Sequence, residues 1–412
     1  MNLNTLENYN LQCQWFDAII NIMKIAVIGT GTAGILSISF LLTYLKKEDS
    51  VEVYSIYNPK KPILGIGEAT STQIPSVLFD CINFNLLENS KELDAMIKLG
   101  VKFSGWREEE FYSHVMPVNY AMHFNNHSLK DYSFKKFNEL YKNFKEIHGN
   151  VDVLESDKDK AKVIVDGKEY NFDYVIDCGG YPENYTDYNL NKHISLNSCL
   201  VHNTKPEEYY YTHHKATPNG WMFGIPLQTR QSWGYLYNDT ITSKEDAIDN
   251  FKTYCNDIVD SKLKEFKFKS YSAKTFFDGR ILKNGNRALF YEPMEAFMGF
   301  FYDEVLRFFF DYLYSGFGVD LVNQNIQKVA NNIELAICFV YHGGSIYNTP
   351  FWDYAKKLSN DKLNNDLVWQ YHLHTIKQIK NNDYNQLRQK AVGAFPVKSW
   401  LDFDKNLNYN LF

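Results

Sequence analysis

The 412-residue sequence predicts an α/β protein: a Rossmann-like nucleotide-binding core, an interleaved β-sheet region and a helical C-terminal part. Three observations predict it. The stretch "KIAVIGTGTAGILSISFLLTYL", residues 24–45, places three glycines in GxGxxG spacing between a run of β-formers and an apolar run of helical length. The alternating stretch "DVLESDKDKAKVIVDGKEYNFDYVIDC", residues 152–178, reads as a β-meander with a turn at Asp166–Gly167 and then a strand returning to the core. After residue 292 the pattern turns helical, above all in "DLVNQNIQKVANNIELAICFVYH", which Gly343–Gly344 should end.

Each part takes its place along the chain in turn. Residues 1–22, Asn-rich and then "WFDAIINI", read as an N-terminal extension ahead of Met23. Residues 23–192 hold the nucleotide-binding core with its meander, 193–290 a sheet that covers the cofactor and lines a substrate cavity, and 291–412 helices packed on the same core. Apolar content of 45%, with 16% aromatic, fits a folded chain, and a net charge of −6 argues against a nucleic-acid partner. No apolar run reaches the roughly 20 residues of a membrane span. With no signal-peptide pattern, the expected location is the cytoplasm, with Cys13, Cys81, Cys178, Cys199, Cys255 and Cys338 reduced and too scattered for a metal site.

The glycine motif has a physical logic. Gly29 permits the tight turn, Gly31 lets backbone approach a pyrophosphate, and Gly34 lets the helix pack closely on the strand, with phosphate at the helix N-terminus. An acidic residue is expected roughly 20 positions on, at the end of the second strand, to hold a ribose. In "SVEVYSIY" that place belongs to Ser55 or Tyr57, and Glu52 comes too early. The motif alone suggests an NAD(P)-dependent reductase; the missing acid and the "IDCGG" segment count against one.

Six further segments occur in order: "GIGEAT" (65–70), "GVKFSGW" (100–106), "YVIDCGG" (174–180), "GWMFGIPL" (220–227), "EPMEAF" (292–297) and "YNTPFWDYA" (347–355). Together they resemble the flavin-dependent tryptophan halogenase family over roughly residues 24–400. The resemblance implies a flavoprotein-monooxygenase-like Rossmann FAD domain using FADH2 from a separate flavin reductase. It also implies an aromatic, indole-like small-molecule substrate, a halide, and a homodimer. In that family oxygen and halide react at the reduced flavin, and hypohalous acid passes through a tunnel to the substrate. Matched cofactor positions are Gly29, Gly31, Gly34, Gly65, Gly67, Glu68, Ala69, Thr70, Asp177, Gly179 and Gly180. The WxWxIP-like signature lining the tunnel is kept at Trp221, Ile225 and Pro226, with Phe223 in place of the second Trp.

Glu295 matches the family's catalytic glutamate. Eight residues beyond Glu68, where the family places a catalytic lysine, stands Ser76, and no lysine lies between Lys61 and Lys91. Lys102 would substitute only if the fold turned it into the tunnel. The small polar residues that help hold halide are replaced by Ala296, Phe297 and Met298, whose bulky members should obstruct the site, and the loop before "EP" has no glycine after Gly285. These departures admit an alternative, a flavin-fold protein that has lost the chemistry and acts as a binding protein. His213 and His214 read as a surface strand, because adjacent strand residues point to opposite faces, and His372 and His374 as structural residues of a helix.

Overall fold

The computed structural model describes residues 22–45, 51–114 and 120–412; Cys13 and the expected extension lie almost wholly outside the described residues. Strand β1 (Met23–Ile28) is buried along its C-terminal half, and its chain turns at Gly29 into α1 (Thr32–Tyr44). Every residue of α1 from Ala33 to Thr43 is buried, because the helix is apolar all round and is covered on every side. Strand β2 (Val51–Tyr57) pairs parallel with β1. The six-stranded sheet runs Phe277–Asp278, Ile281–Lys283, Tyr174–Asp177, β1, β2, Phe144–His148. Both faces are covered, as a parallel sheet requires. One carries α1, and the other packs on the meander through Val163, Val165 and Phe172. Its hairpin closes at Asp166 and Gly167, with φ of 45° and 78°.

A small antiparallel sheet positions the next parts. The pair Glu68–Ala69 and strand β3 (Met96–Lys98) flank Ala121–Phe124, with Ala69 opposite His123 and Lys98 opposite Ala121. Between them runs α2 (Gln73–Ile82), which buries Ile74, Val77, Leu78 and Cys81 and exposes Ser76.

The seven-stranded sheet centres on β4 (Thr212–Thr217) and β5 (Gly220–Pro226), an antiparallel pair joined by a two-residue turn. Two of its strands, Val101–Ser104 and Phe111–Ser113, come from well before residue 195. In the other direction, Ile281–Lys283 returns to the nucleotide sheet. The regions are therefore interleaved more deeply than their order along the chain suggests.

Helix α3 (Phe297–Tyr314) buries Phe297, Phe301, Val305 and Phe309, an every-fourth-residue stripe. Helix α4 (Val319–Tyr341) ends just before Gly343–Gly344, as expected, with Gly344 at φ 68°. Helix α5 (Val397–Asn406) brings Trp400 and Phe403 into the same core. Among the described residues, no helix is long and apolar enough to cross a membrane, and the five described cysteines form no disulfide.

Candidate functional site

One large cavity, about 1260 Å³, runs from the glycine turn to the middle of the molecule. At its nucleotide end it is lined by Gly29, Gly31, Asn58, Lys61, Gly179 and Arg287. The glycines are there for distinct reasons. Gly29 has φ 94° and a Cβ would stand 2.5 Å from the Cys178 carbonyl oxygen; at Gly34 it would stand 2.0 Å from the Gly29 oxygen. Around a Cβ at Gly31 there is nothing within 4 Å. Helix α1 starts there with no side-chain cap and no acidic residue in its first turn. Its first N–H groups thus lack side-chain partners, a site that suits a pyrophosphate.

Asp177 accepts a hydrogen bond from Gly179 N at 2.9 Å and pairs with Arg287 Nε at 3.2 Å, which shapes the "IDCGG" turn. The acid expected after β2 has a different outcome: Ser55 is fully buried and the Tyr57 hydroxyl is committed to Glu146. The next residue, Asn58, lines the cavity. Gly285 keeps the loop before "EP" against the start of α1, where a Cβ would meet Ala33, and Asn286 and Arg287 line the cavity.

Gly67, Glu68, Ala69 and Thr70 line the middle of the cavity; Gly65 sits behind it, against His127. The Glu68 carboxylate accepts from Ile66 N and Asn126 N, both at 3.0 Å, while burial pushes its pKa up to about 7. From β5, Phe223 and Ile225 line the wall, but Trp221 and Pro226 do not. Trp221 instead donates from Nε1 to Tyr341 Oη (2.7 Å), which donates to Glu292 Oε1 (2.8 Å), tying β5 to α4.

The inner end departs most from the sequence expectation. Ser76 is exposed and is not part of the lining, where α2 presents Ile74 instead. Lys102 pairs with Glu110 at 2.7 Å, away from the cavity. The lysine at the cavity's inner end is Lys98, 2% exposed, whose Nζ reaches the Thr70 carbonyl oxygen at 3.4 Å. No reading of the sequence singled it out; its position shows only when Ala121–Phe124 brings β3 beside the glycine segment. His214 lies at the same end and is 1% exposed, so the surface reading of β4 is overturned: both faces of this strand are covered, and His213 is also partly buried.

Behind that end, the Glu295 side chain is 1% exposed and takes a hydrogen bond from Ser113 Oγ at 3.1 Å. His114 Nε2 lies 3.2 Å from its carboxylate and His214 Nδ1 3.8 Å. Ser399 of α5 is hydrogen-bonded to the other ring nitrogen of His114 at 3.0 Å. Glu295 and Ala296 are held at φ 57° and 54°, a conformation that costs on the order of 1–3 kcal/mol per residue outside glycine. Burial pushes the Glu295 pKa up to about 7 against the pull of Lys98, and pulls Lys98 down to about 8. Burial also keeps His114, His123 and His214 neutral. Phe297, expected to obstruct a halide, is not part of the lining and packs at a 31° tilt against Phe395, ring centroids 5.1 Å apart; Ala296 and Met298 line the cavity.

The fold, a Rossmann-type α/β core with the cavity opening at its glycine turn, is that of the flavin-dependent halogenases. A family model described as tryptophan halogenase matches residues 24–116 and 107–402, and the chain belongs to that family. Tryptophan 7-halogenase RebH of Lentzea aerocolonigenes is 21% identical, over 81% of this chain and 79% of its own. BrvH, a flavin-dependent halogenase from Brevundimonas sp. BAL3, superposes with a TM-score of 0.78 at 13% identity, covering 94% of this chain and 90% of that one. A tryptophan halogenase of Shewanella frigidimarina gives 0.76 at 16%, covering 94% and 89%.

Proposed function

We propose that this chain is an FADH2-dependent oxidoreductase that halogenates an indole-like or other aromatic small molecule, served by a separate flavin reductase. The observation that carries the reading is the continuous cavity from an uncapped helix N-terminus to a buried lysine with a buried glutamate behind it. Gly29, Gly31 and the first turn of α1 would hold the pyrophosphate, with Arg287 and Lys61 beside it. When bound, reduced flavin with oxygen and halide supplies hypohalous acid. Phe223 and Ile225 wall the route inward and keep water from it. As the carbon–halogen bond forms and the oxygen–halogen bond breaks, Glu295 takes the proton that the ring loses, a task suited to a carboxylate whose pKa is near 7.

The test supplies the full chain with FAD, a flavin reductase, NADH, bromide and indole. Brominated indole is expected, and Glu295→Ala should reduce it at least about 100-fold without changing the affinity for oxidised FAD. A folded, FAD-binding wild type that yields no product overturns the reading.

One observation favours a second reading, a flavin-fold binding protein without turnover. The side of Glu295 beyond the cavity is packed with the chain's own rings: Phe395 and Phe403 lie 4.7 and 5.7 Å from His114, and Phe103 5.1 Å from His214. Saturable FAD binding with no product would select it.

A further inference from the structure

Between its nucleotide end and its inner end the cavity also runs sideways, along one face of the seven-stranded sheet. Its lining takes His214 from β4, Phe223 from β5, Leu236 from Gln231–Tyr237, Cys199 from Ser198–Thr204 and Phe266 from Lys264–Lys267, five consecutive strands of that sheet. At the usual strand spacing this is about 19 Å from His214 to Phe266, with Cys199 about 14 Å from β4. The face is continuous because its residues fall in register: Phe223 stands opposite Gly234, Leu236 opposite Cys199, and Cys199 opposite Phe266. Phe223 lies down over Gly234, where a Cβ would stand 2.1 Å from the ring. The wall is low at that point, and the cavity continues past it to Leu236 and Cys199. The lobe thus lies on strands that carry none of the positions matched to the cofactor.

The chemistry of the lobe selects its ligand. Leu236, Cys199, Phe266 and Phe290 are uncharged, and Phe290 meets Phe268 and Tyr181 at 73° and 67°, with centroids 5.3 and 5.1 Å apart. At the exposed mouth, Lys267 is already paired with Asp239 at 2.8 Å. Tyr181 is exposed at the same mouth, and among the described residues its hydroxyl makes no hydrogen bond. An apolar slot with one free hydroxyl suits a flat ring that carries a single N–H and no charge. We propose that this lobe is a second binding site for an uncharged, indole-sized aromatic molecule, held against Leu236, Cys199, Phe266 and Phe290 with its N–H donated to the Tyr181 hydroxyl. A ring beside Cys199 is about 14 Å from the strand whose His214 faces Glu295, whereas a proton transfer needs about 3 Å. The lobe therefore holds the ring without reacting it. Its mouth at Tyr181 and Lys267 is an entrance separate from the far side of Glu295, where Phe395 and Phe403 are packed around His114. The claim concerns binding and stands apart from whether the ring is then halogenated.

The test titrates the full chain, saturated with oxidised FAD, with indole by calorimetry. Wild type should bind indole saturably with FAD still in place. Tyr181→Phe should weaken indole about fivefold, the worth of one hydrogen bond, and leave benzothiophene, of the same shape but without an N–H, within about twofold. Leu236→Trp fills the lobe and should weaken both ligands at least about tenfold with FAD affinity unchanged. Because Tyr181 is exposed and Phe keeps its ring, that variant reads the site even where the Leu236 variant fails to fold. Displacement of FAD by indole overturns the assignment, as do the absence of saturable binding to the FAD-loaded wild type and equal weakening of indole and benzothiophene in Tyr181→Phe. Indole affinity in folded Leu236→Trp within about twofold of wild type overturns it too. The expected binding in a chain that yields no brominated indole overturns the functional reading and leaves this one standing.

Discussion

At the scale of single residues, the two glycines of the nucleotide turn separate folding from binding. Gly29 is needed for backbone geometry, since its φ is 94° and a Cβ would overlap the Cys178 carbonyl. Gly31 faces open space and adopts an ordinary extended conformation. Gly29→Ala should therefore destabilise the fold by about 1–3 kcal/mol in urea unfolding. Gly31→Trp should keep the wild-type midpoint and abolish the fluorescence change on FAD titration. Glu292 offers a pH test. Burial raises its folded pKa to about 8 from an unfolded value of 4.5, so the folded state holds the proton more tightly across that window. The stability this gives is fully present below pH 4.5 and is lost as pH rises toward 8. Glu292→Gln does not titrate, so its midpoint should gain on that of wild type by up to about 1.4 kcal/mol per pH unit through the window. Equal pH slopes for the two proteins would refute it.

At the scale of elements, one face of β5 has two jobs along its length. Phe223 and Ile225 form cavity wall, while Trp221 holds α4 through Tyr341 and Glu292. Trp221→Phe removes one buried donor and keeps the ring, and should cost about 1–2 kcal/mol in thermal unfolding with little effect on FAD affinity. A change confined to FAD affinity would assign Trp221 to the cavity instead. The elements were legible from sequence where local chemistry dictates them. The glycine turn, the Asp166–Gly167 hairpin and the end of α4 all follow from residues that only one backbone suits. Site membership was less legible, because it depends on pairing between distant strands. Lys98 belongs to a three-residue strand whose importance comes from its neighbour at 121–124. His214 looked solvated because alternation tells which residues share a face, not whether that face is covered. At the end of β2 both Tyr57, which the sequence put there, and the next residue Asn58 line the cavity.

At the scale of the whole molecule, the family resemblance was legible because six ordered segments lie near one cavity or the core around it, although they are scattered over nearly the whole chain. What ordered segments do not encode is which side chains meet across distant strands. The position after "GEAT" where a lysine was expected holds exposed Ser76, and the lysine that lines the cavity, Lys98, comes from β3. The sheets are interleaved, so elements that neighbour one another in space bring side chains to one cavity whatever their order along the chain.

The bond between His114 and Ser399 joins residues 285 positions apart, and this has a consequence for how the protein is made. A ribosome releases the glycine turn well before Glu295, and Ser399 about a hundred residues after Glu295. The nucleotide sheet itself waits for Ile281–Lys283. No interrupted translation product ending before residue 295 holds the buried Glu295 cluster, and until then the apolar α1 has only part of its cover. The growing chain would thus be most in need of a chaperone during the long interval before α3 emerges.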